Sequence, residues 1–496
     1  MLIGGMAALL LTGIPMEEKT EAYAAGMQYE YEDNDSYETA NYIALGDSVT
    51  GIIEDRDDVD YYKVSTSMNG KIELSFCHTY ADESGSWVVS TYIYQDGQYT
   101  ELSSQYIHLN DNEKVEIPYI GAVQNGIYYI KVVRDYSGVI EKNYSIQTSF
   151  VTSDCIEKEV NDTYAEATNV TLGNSYSGII SNANDKDYYK ITAPENGKIS
   201  LDFKHTYADE SGSWVVSTYI YQDGQYTELS SQYIHLNDNE KVEIPYIGAV
   251  QNGIYYIKVV HNNQNVIGNN YSIQTSFKKS DYMEKEVNDV YATATNAELN
   301  HSYSGTINNG ADKDYYKIIV PKDGMLDITF KHTFENSYDD WNVMVYSYLD
   351  GAYTELSNTN VDLNSNKVIS LPTVWAHKNN VYYVKVECNA SGVIGKNYAI
   401  KAKFSPYSPS NLRISTSKNT AKLTWSSAWA VDGYEVYCKV GKNGTYKKIA
   451  TTKKTSYSYK KLAKGKTYYF KVRGYQKSGN KTYYSTYTTT KSVTRK

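Results

Sequence analysis

Cysteine is scarce, with four in 496 residues at Cys77, Cys155, Cys388 and Cys438. No two stand in a CxxC spacing, which excludes the commonest thiolate metal site, and they are expected to be unpaired. No Gly-rich phosphate loop, HExxH sequence or Cys/His dyad is present, so nothing in the chain supports an enzyme. His78, His205 and His332 have no second histidine in the same segment, which leaves them as strand-end residues rather than metal ligands. Ile43 to Gly51 contains a Gly-Asp-Ser stretch reminiscent of lipase-type esterases, but no Asp-x-x-His block follows, and the segment is read as a turn between strands. Long apolar runs are also missing. The one near the start, Leu2 to Pro15, is too short to span a bilayer. Acidic residues nearly vanish from the tail: 20 Lys and Arg stand against 2 Asp and Glu from Ser408 onward, whereas the preceding part carries 28 basic and 56 acidic residues. Phenylalanine is rare as well, 8 against 54 tyrosines. Tyrosine combines apolar area with a hydroxyl that stays wet, which suits strand faces and binding surfaces alike.

What is present is a repeat. Asp60, Asp187 and Asp314 each precede a Tyr-Tyr pair at a step of 127 residues, and Glu30, Glu157 and Glu284 keep the same step. Most of the chain is one unit written three times. Residues 78–133 and 205–260 are identical, the mark of recent duplication. Cys77 and Cys388 fall where other copies have Lys204 and His261, so no disulfide recurs with the repeat.

Within a copy the pattern is β. Ile199, Leu201 and Phe203 alternate with polar residues, and the run from Trp214 to Tyr221 closes on Asp223-Gly224, a hairpin signal. Residues 253–260 and 270–277 read as two further strands. The expectation is an all-β chain of three tandem antiparallel β-sandwich or jelly-roll domains, 26–151, 152–278 and 279–405, joined by linkers of a few residues into a semi-rigid string of beads. Ahead of them, 1–25 reads as a secretory signal peptide with Ala22-Tyr23-Ala24 as its cleavage site, though its basic start is missing.

Two families are called up by these residues. The order E-x-E-x-N-D, G-x-x-x-x-G, D-x-D-Y-Y and a late Y-Y-x-x-V over roughly 28–405 resembles the bacterial pre-peptidase C-terminal domain, whose relatives include the collagen-binding domains of clostridial collagenases. Val160, Val287 and Asp33 stand where that family usually has Pro. Beyond Pro406 and Pro409, Lys422 to Trp425, Gly433 to Tyr437 and the run Leu462-x-x-Gly465-x-x-Tyr468-x-Phe470 resemble a fibronectin type III domain over 406–496.

Residues two apart on a strand face one side, so Glu157, Glu159 and Asn161 form one expected row of oxygens and Asp185 and Asp187 another. Converging hard oxygens are what calcium takes. In the collagen-binding relatives the matching positions hold calcium, and the resemblance carries that role onto Glu157, Glu159, Asn161, Asp162, Asp185 and Asp187. It reaches equally Glu30, Glu32, Asn34, Asp35, Asp58 and Asp60, and Glu284, Glu286, Asn288, Asp289, Asp312 and Asp314. The other reading is a purely structural clasp, with Asn-Asp capping a turn and the aspartate binding backbone amides.

Tyr92, Tyr94 and Tyr99, with Tyr219, Tyr221 and Tyr226 in the second copy, are candidates for an exposed aromatic patch that binds ligand. One ring of each pair Tyr128-Tyr129, Tyr255-Tyr256 and Tyr382-Tyr383 is expected in the core and the other at this patch. The bland alternative is cross-strand packing.

Together these features point to a non-catalytic, secreted or cell-surface bacterial protein, multivalent for an extracellular polysaccharide or matrix protein, with the basic tail available to anionic cell wall. An accessory portion of a secreted hydrolase and a passive stalk are the alternatives. Neither nucleic acid nor a membrane span is expected.

Overall fold

The computed structural model describes residues 27–496 apart from 81–83, 112, 207–210, 239–240, 335–338, 365–366 and 379, and the expected signal peptide lies outside the described residues. Among the described residues the fold is all β, with only three single-turn 3-10 segments and no helix long and apolar enough to cross a membrane. The chain divides into two compact units, one ending at Val160 and one running from Asn161 to Lys496.

The first unit is a sandwich of two five-stranded sheets. One sheet orders its strands Met27–Tyr29, Ser48–Ile52, Asn143–Thr152, Gly70–Cys77 and Lys114–Ala122. The other orders Asn41–Tyr42, Val59–Ser65, Ile127–Arg134, Ser86–Gln95 and Gln98–His108. Alternation decides which side faces in: Ile72, Leu74 and Phe76 are buried between the sheets while Lys71 and Glu73 pair on the outside. Trp87, Tyr62, Tyr128 and Tyr144 fill the same core. Asp96-Gly97 closes the Ser86–Gln95 hairpin with φ of 52° and 80°, as a two-residue hairpin turn requires. The pairing is not purely antiparallel, because the first strand of each sheet joins its neighbour in parallel.

The second unit builds such a pair of sheets twice more, the next copy with four strands in the sheet that has five in the first. In the last copy the strand matching Lys241–Ala249 is split into Val368–Ser370 and Val374–Ala376, around Leu371-Pro372-Thr373. The tail is a smaller sandwich, with Ser410–Ser417, Thr420–Ser426 and Ser456–Tyr459 in one sheet. The facing sheet is centred on Gly433–Val440 and Thr467–Ser478. Tyr468 ties its corner by donating to the Lys461 carbonyl at 3.1 Å and accepting from the Ala463 amide at 2.9 Å. All four cysteines are free.

Inside the second unit the neighbours abut, which corrects the beads-on-a-string expectation there. Lys322 pairs with Asp432 at 3.0 Å, Gln476 donates to the Asp323 carbonyl at 2.8 Å, and Asn309 donates to the Leu229 carbonyl at 2.7 Å. The physical reason at one junction is a glycine: a Cβ on Gly248 would sit 2.4 Å from the Glu284 carbonyl oxygen. Only a bare backbone lets the next copy's acidic segment seat there.

Candidate metal centre and tyrosine surface

The acidic segment is not the strand expected of it. In the last copy residues 284–289 are irregular, with a cis peptide between Glu286 and Val287, and Asp312 lies in the turn before the strand Lys313–Ile319. Backbone partners elsewhere account for this course. The Glu284 amide donates to the Ser304 carbonyl at 2.9 Å, the Glu286 amide to Gly248 at 3.3 Å, and the Asn288 carbonyl accepts from the Tyr315 amide at 3.1 Å. The segment is therefore laid across two sheets rather than hydrogen-bonded as a ladder.

The side chains converge nonetheless. Glu284, Glu286 and Asp314 each place a carboxylate oxygen within 4.8 Å of the others, and all three are buried. The Thr306 amide lies 3.0 and 3.1 Å from the two Glu284 oxygens, and the Tyr398 hydroxyl donates to Asp314 at 2.6 Å. Gly305 makes the room, since a Cβ there would lie 2.3 Å from the Tyr316 hydroxyl and 2.4 Å from that of Tyr398. Gly305→Ala is thus expected to destabilise this copy by about 1–3 kcal/mol through overpacking, measurable by denaturant unfolding.

Burial, and then repulsion among the carboxylates, drives the acids of Glu284, Glu286 and Asp312 well above the usual range. Burial raises Asp314 to about 7. Four acceptor oxygens here are buried without a hydrogen-bond partner: Asn288 Oδ1, Asn308 Oδ1, Asp312 Oδ1 and Asp314 Oδ1. A buried acceptor left without a donor is costly. Once its carboxylates are ionised, a donor set made only of hard oxygens fits calcium. Asp289 and Asp312 also brace loops, accepting from the Lys313 amide at 3.1 Å and the Asn308 amide at 2.6 Å.

The first copy repeats the arrangement with more water. Glu30, Glu32 and Asp60 form the same triad, but Glu32 is exposed and Glu30 half-buried. Partial desolvation of the carboxyl, together with the neighbouring carboxylates, raises Glu32 to about 7, and burial raises Asp60 to about 9. Asn34 is fully buried and neither of its side-chain polar atoms has a partner. Asp35 and Asp58 cap loops, accepting from the Val59 and Glu54 amides at 3.0 and 2.5 Å. For the second copy, Glu157 and Glu159 are buried in the first unit. Asn161 and Asp162 lie in the second unit with Asp185 and Asp187, where Asp162 accepts from the Lys186 amide at 2.9 Å, Asp185 from the Ser181 amide at 2.5 Å, and Asp187 from the Tyr271 hydroxyl at 2.5 Å.

The tyrosines form a larger cluster than the six named from sequence. Tyr37, two residues beyond Asp35, stacks on Tyr99 at 3.6 Å and 11° and meets Tyr61, Tyr92 and Tyr129 edge-on. Tyr164 stacks on Tyr226 at 3.7 Å and Tyr291 on Tyr353 at 3.7 Å in the same way. Tyr128 is in the core, and Tyr129, expected at the exposed patch, is itself buried and packs edge-on beneath Tyr37 and Tyr99. Tyr92 and Tyr219 are half-buried and donate to Glu101 and Glu228 at 2.8 and 2.7 Å. The open edge is Tyr94 with Tyr99 and Tyr221 with Tyr226, between 36% and 42% exposed. Sequence reading missed Tyr37, Tyr164 and Tyr291, which sit in a polar turn; their recurrence at the 127-residue step was the available signal.

Comparison with known proteins identifies one part of the chain. Residues 407–491 match the fibronectin type III domain, and the tail sandwich is such a domain. No curated protein matches the chain. Among solved structures it is similar to a Fn3-like protein from Clostridium thermocellum, at 27% identity over 18% of this chain and 95% of that one, with a TM-score of 0.16. It is also similar to the pre-peptidase C-terminal domain of collagenase from Bacillus anthracis, at 17% identity over 22% of this chain and 94% of that one, with a TM-score of 0.16. A two-domain fibronectin type III segment of chicken tenascin matches at 17% identity over 35% and 94%, with a TM-score of 0.19.

Proposed function

We propose that this chain is a non-catalytic, extracellular binding protein whose copies engage a polysaccharide or matrix protein through their tyrosine edges. The observation that carries the reading is the recurrence of one ring pair in one frame, Tyr94 with Tyr99, Tyr221 with Tyr226 and Tyr348 with Tyr353, at centroid distances of 4.7, 4.8 and 4.6 Å, with Tyr348 half-buried and the other rings exposed. Each pair leans on a packed tyrosine stack, so it is held rigid before any ligand arrives and loses little entropy on binding. Weak sites on a single chain then add through effective concentration.

Calcium completes this reading. Glu284, Glu286 and Asp314, with Asn288 and Asp312 beside them, would hold it in the last copy, and Glu30, Glu32 and Asp60 in the first. When bound, the ion supplies positive charge that cancels the carboxylate repulsion. The segment it fixes leads directly into Tyr37 in one copy and Tyr291 in the other, the central rings of the stacks, so the clasp and the aromatic edge are mechanically one piece.

The test is retention of the full chain on a panel of insoluble polysaccharides and fibrous matrix proteins. Replacing Tyr94, Tyr221 and Tyr348 together by Ser is expected to weaken retention by about 10²–10⁴ through lost avidity, with each single change costing far less. Retention unchanged in the triple variant would overturn the reading, and no retention of the parent chain on any polymer would favour a passive spacer.

A further inference from the structure

The fibronectin type III domain presents a sheet face crowded with cations and tyrosine rings. Strand Gly433–Val440 turns Val436 and Cys438 into the core, which leaves Glu435, Tyr437 and Lys439 on the outer side. Strand Thr467–Ser478 likewise turns Tyr468, Phe470 and Val472 inward and Tyr469, Lys471 and Arg473 outward. Register sets the two rows against each other, with Glu435 opposite Arg473, Tyr437 opposite Lys471 and Lys439 opposite Tyr469. Tyr487 pairs opposite Arg473, and Tyr484 follows one bulge along.

Across the strands a cation thus faces a ring at two successive pairs, Lys439 with Tyr469 and Lys471 with Tyr437. The Lys471 ammonium stands 3.6 Å from the Tyr487 ring centre and 4.3 Å from that of Tyr446. Lys439 lies 5.1 Å from Tyr446 and 5.2 Å from Tyr469, and the Arg473 guanidinium lies 3.7 Å from Tyr484. Such stacking fixes long, flexible side chains over rigid rings and keeps their charge at the surface. The domain has two acids to answer its cations, and both are committed: Glu435 to Arg473 and Lys448 at 2.7 and 2.8 Å, and Asp432 to Lys322 at 3.0 Å. Lys439 and Lys471 have no carboxylate among these ion pairs. Burial, followed by the neighbouring Arg473 and Lys439, lowers the Lys471 pKa, a sign of crowded positive charge. Tyr484 and Tyr487 are 39% and 37% exposed.

We infer that this face binds an acidic polysaccharide, a chain of sugar rings bearing carboxylates, whose rings lie on the tyrosines and whose carboxylates pair with Lys439 and Lys471. Charge complementarity selects the anion, and the interleaved rings select a pyranose over a featureless polyanion. Diffuse charge would need no such arrangement. Lys422, on the opposite sheet in the exposed row of Thr420–Ser426, carries the same charge without rings in this pattern.

The full chain is to be titrated with polygalacturonate, with neutral pullulan and polyphosphate as comparison probes. Lys471→Gln combined with Tyr487→Ser is expected to weaken polygalacturonate binding about tenfold or more, a loss of the size two cation–ring contacts and one ion pair supply. Lys439→Gln alone should show part of that loss if the double variant folds poorly. Lys422→Gln, which removes a charge off the face, should change affinity by less than about twofold. Equal losses in the on-face and off-face variants, or equal binding of polyphosphate and polygalacturonate, would overturn the proposal in favour of bulk charge. Equal binding of pullulan would overturn the role of the cations. The inference does not rest on the repeat tyrosines, whose contribution the combined Lys471→Gln and Tyr487→Ser change leaves in place.

Discussion

Replacing Gly248 with Trp should unseat the last copy from the one before it while leaving both sandwiches folded. Position 375 of the last copy, in the same repeat frame, already carries Trp, and there the ring projects 71% exposed from the strand Val374–Ala376. The strand therefore tolerates the side chain. What cannot tolerate it is the Glu284 segment, whose Cγ would stand 2.8 Å and whose carbonyl oxygen 2.4 Å from even a first Cβ. A displaced segment loses the Glu286 amide bond to Gly248 and opens the buried triad to water. We expect about 2–4 kcal/mol of destabilisation at the junction, the cost of unmaking a packed contact and its hydrogen bond. Calorimetry should show one broad transition splitting into two, and limited proteolysis should cut faster within residues 279–290. An unchanged thermogram and cleavage pattern would show that Gly248 is not a seat.

The second large effect is on pH. Burial places the Asp314 acid at about 7 against an ordinary 3.8, so folding favours its protonated form. Its contribution to stability is then full below about pH 4 and is lost as the pH climbs through 7. Asp60, raised to about 9, extends the same loss upward in the first copy. Without divalent cations the melting temperature of the full chain should fall on the order of 5 °C between about pH 5 and pH 8. Added calcium should restore it most at the high end, because the ion needs the carboxylates ionised and protons compete with it. Asp314→Asn removes the titrating group and the charge of one ligand together, so it should flatten the pH trend and reduce the calcium response. A cation-free protein that gains stability on going from pH 5 to 8 would contradict this account of the triads.

Most of the fold was legible because its signals are local. The alternation of Ile199, Leu201 and Phe203, the Asp223-Gly224 turn and the Tyr468 corner each depend on neighbours a few residues away, and each gives the expected strand, hairpin or tie. The acidic segment misled in secondary structure alone. Its Glu-x-Glu spacing reads as a strand, yet its amides go to Ser304 and Gly248, partners that no local pattern discloses. Convergence of the triad on Asp314 depends on that long-range seating. The split between the triad and the loop-bracing Asp289 was likewise invisible, since all are carboxylates in one motif. One junction signal did lie in plain view: Gly121, Gly248 and Trp375 occupy one repeat frame, and only the first two are followed by another copy. The cation–tyrosine face escaped because its rows come from strands distant in sequence, paired only by register.

The most direct measurement is a calorimetric titration of calcium into the cation-stripped full chain, alongside the Glu284→Gln, Glu286→Gln, Asp314→Asn triple variant. The account predicts saturable uptake in the range of about 10⁻⁴–10⁻³ M or tighter, typical of extracellular calcium modules, with one site fewer in the variant. Absence of saturable uptake by the parent chain, or identical stoichiometry in the two proteins, would contradict it and leave the acidic motif a clasp held by hydrogen bonds alone.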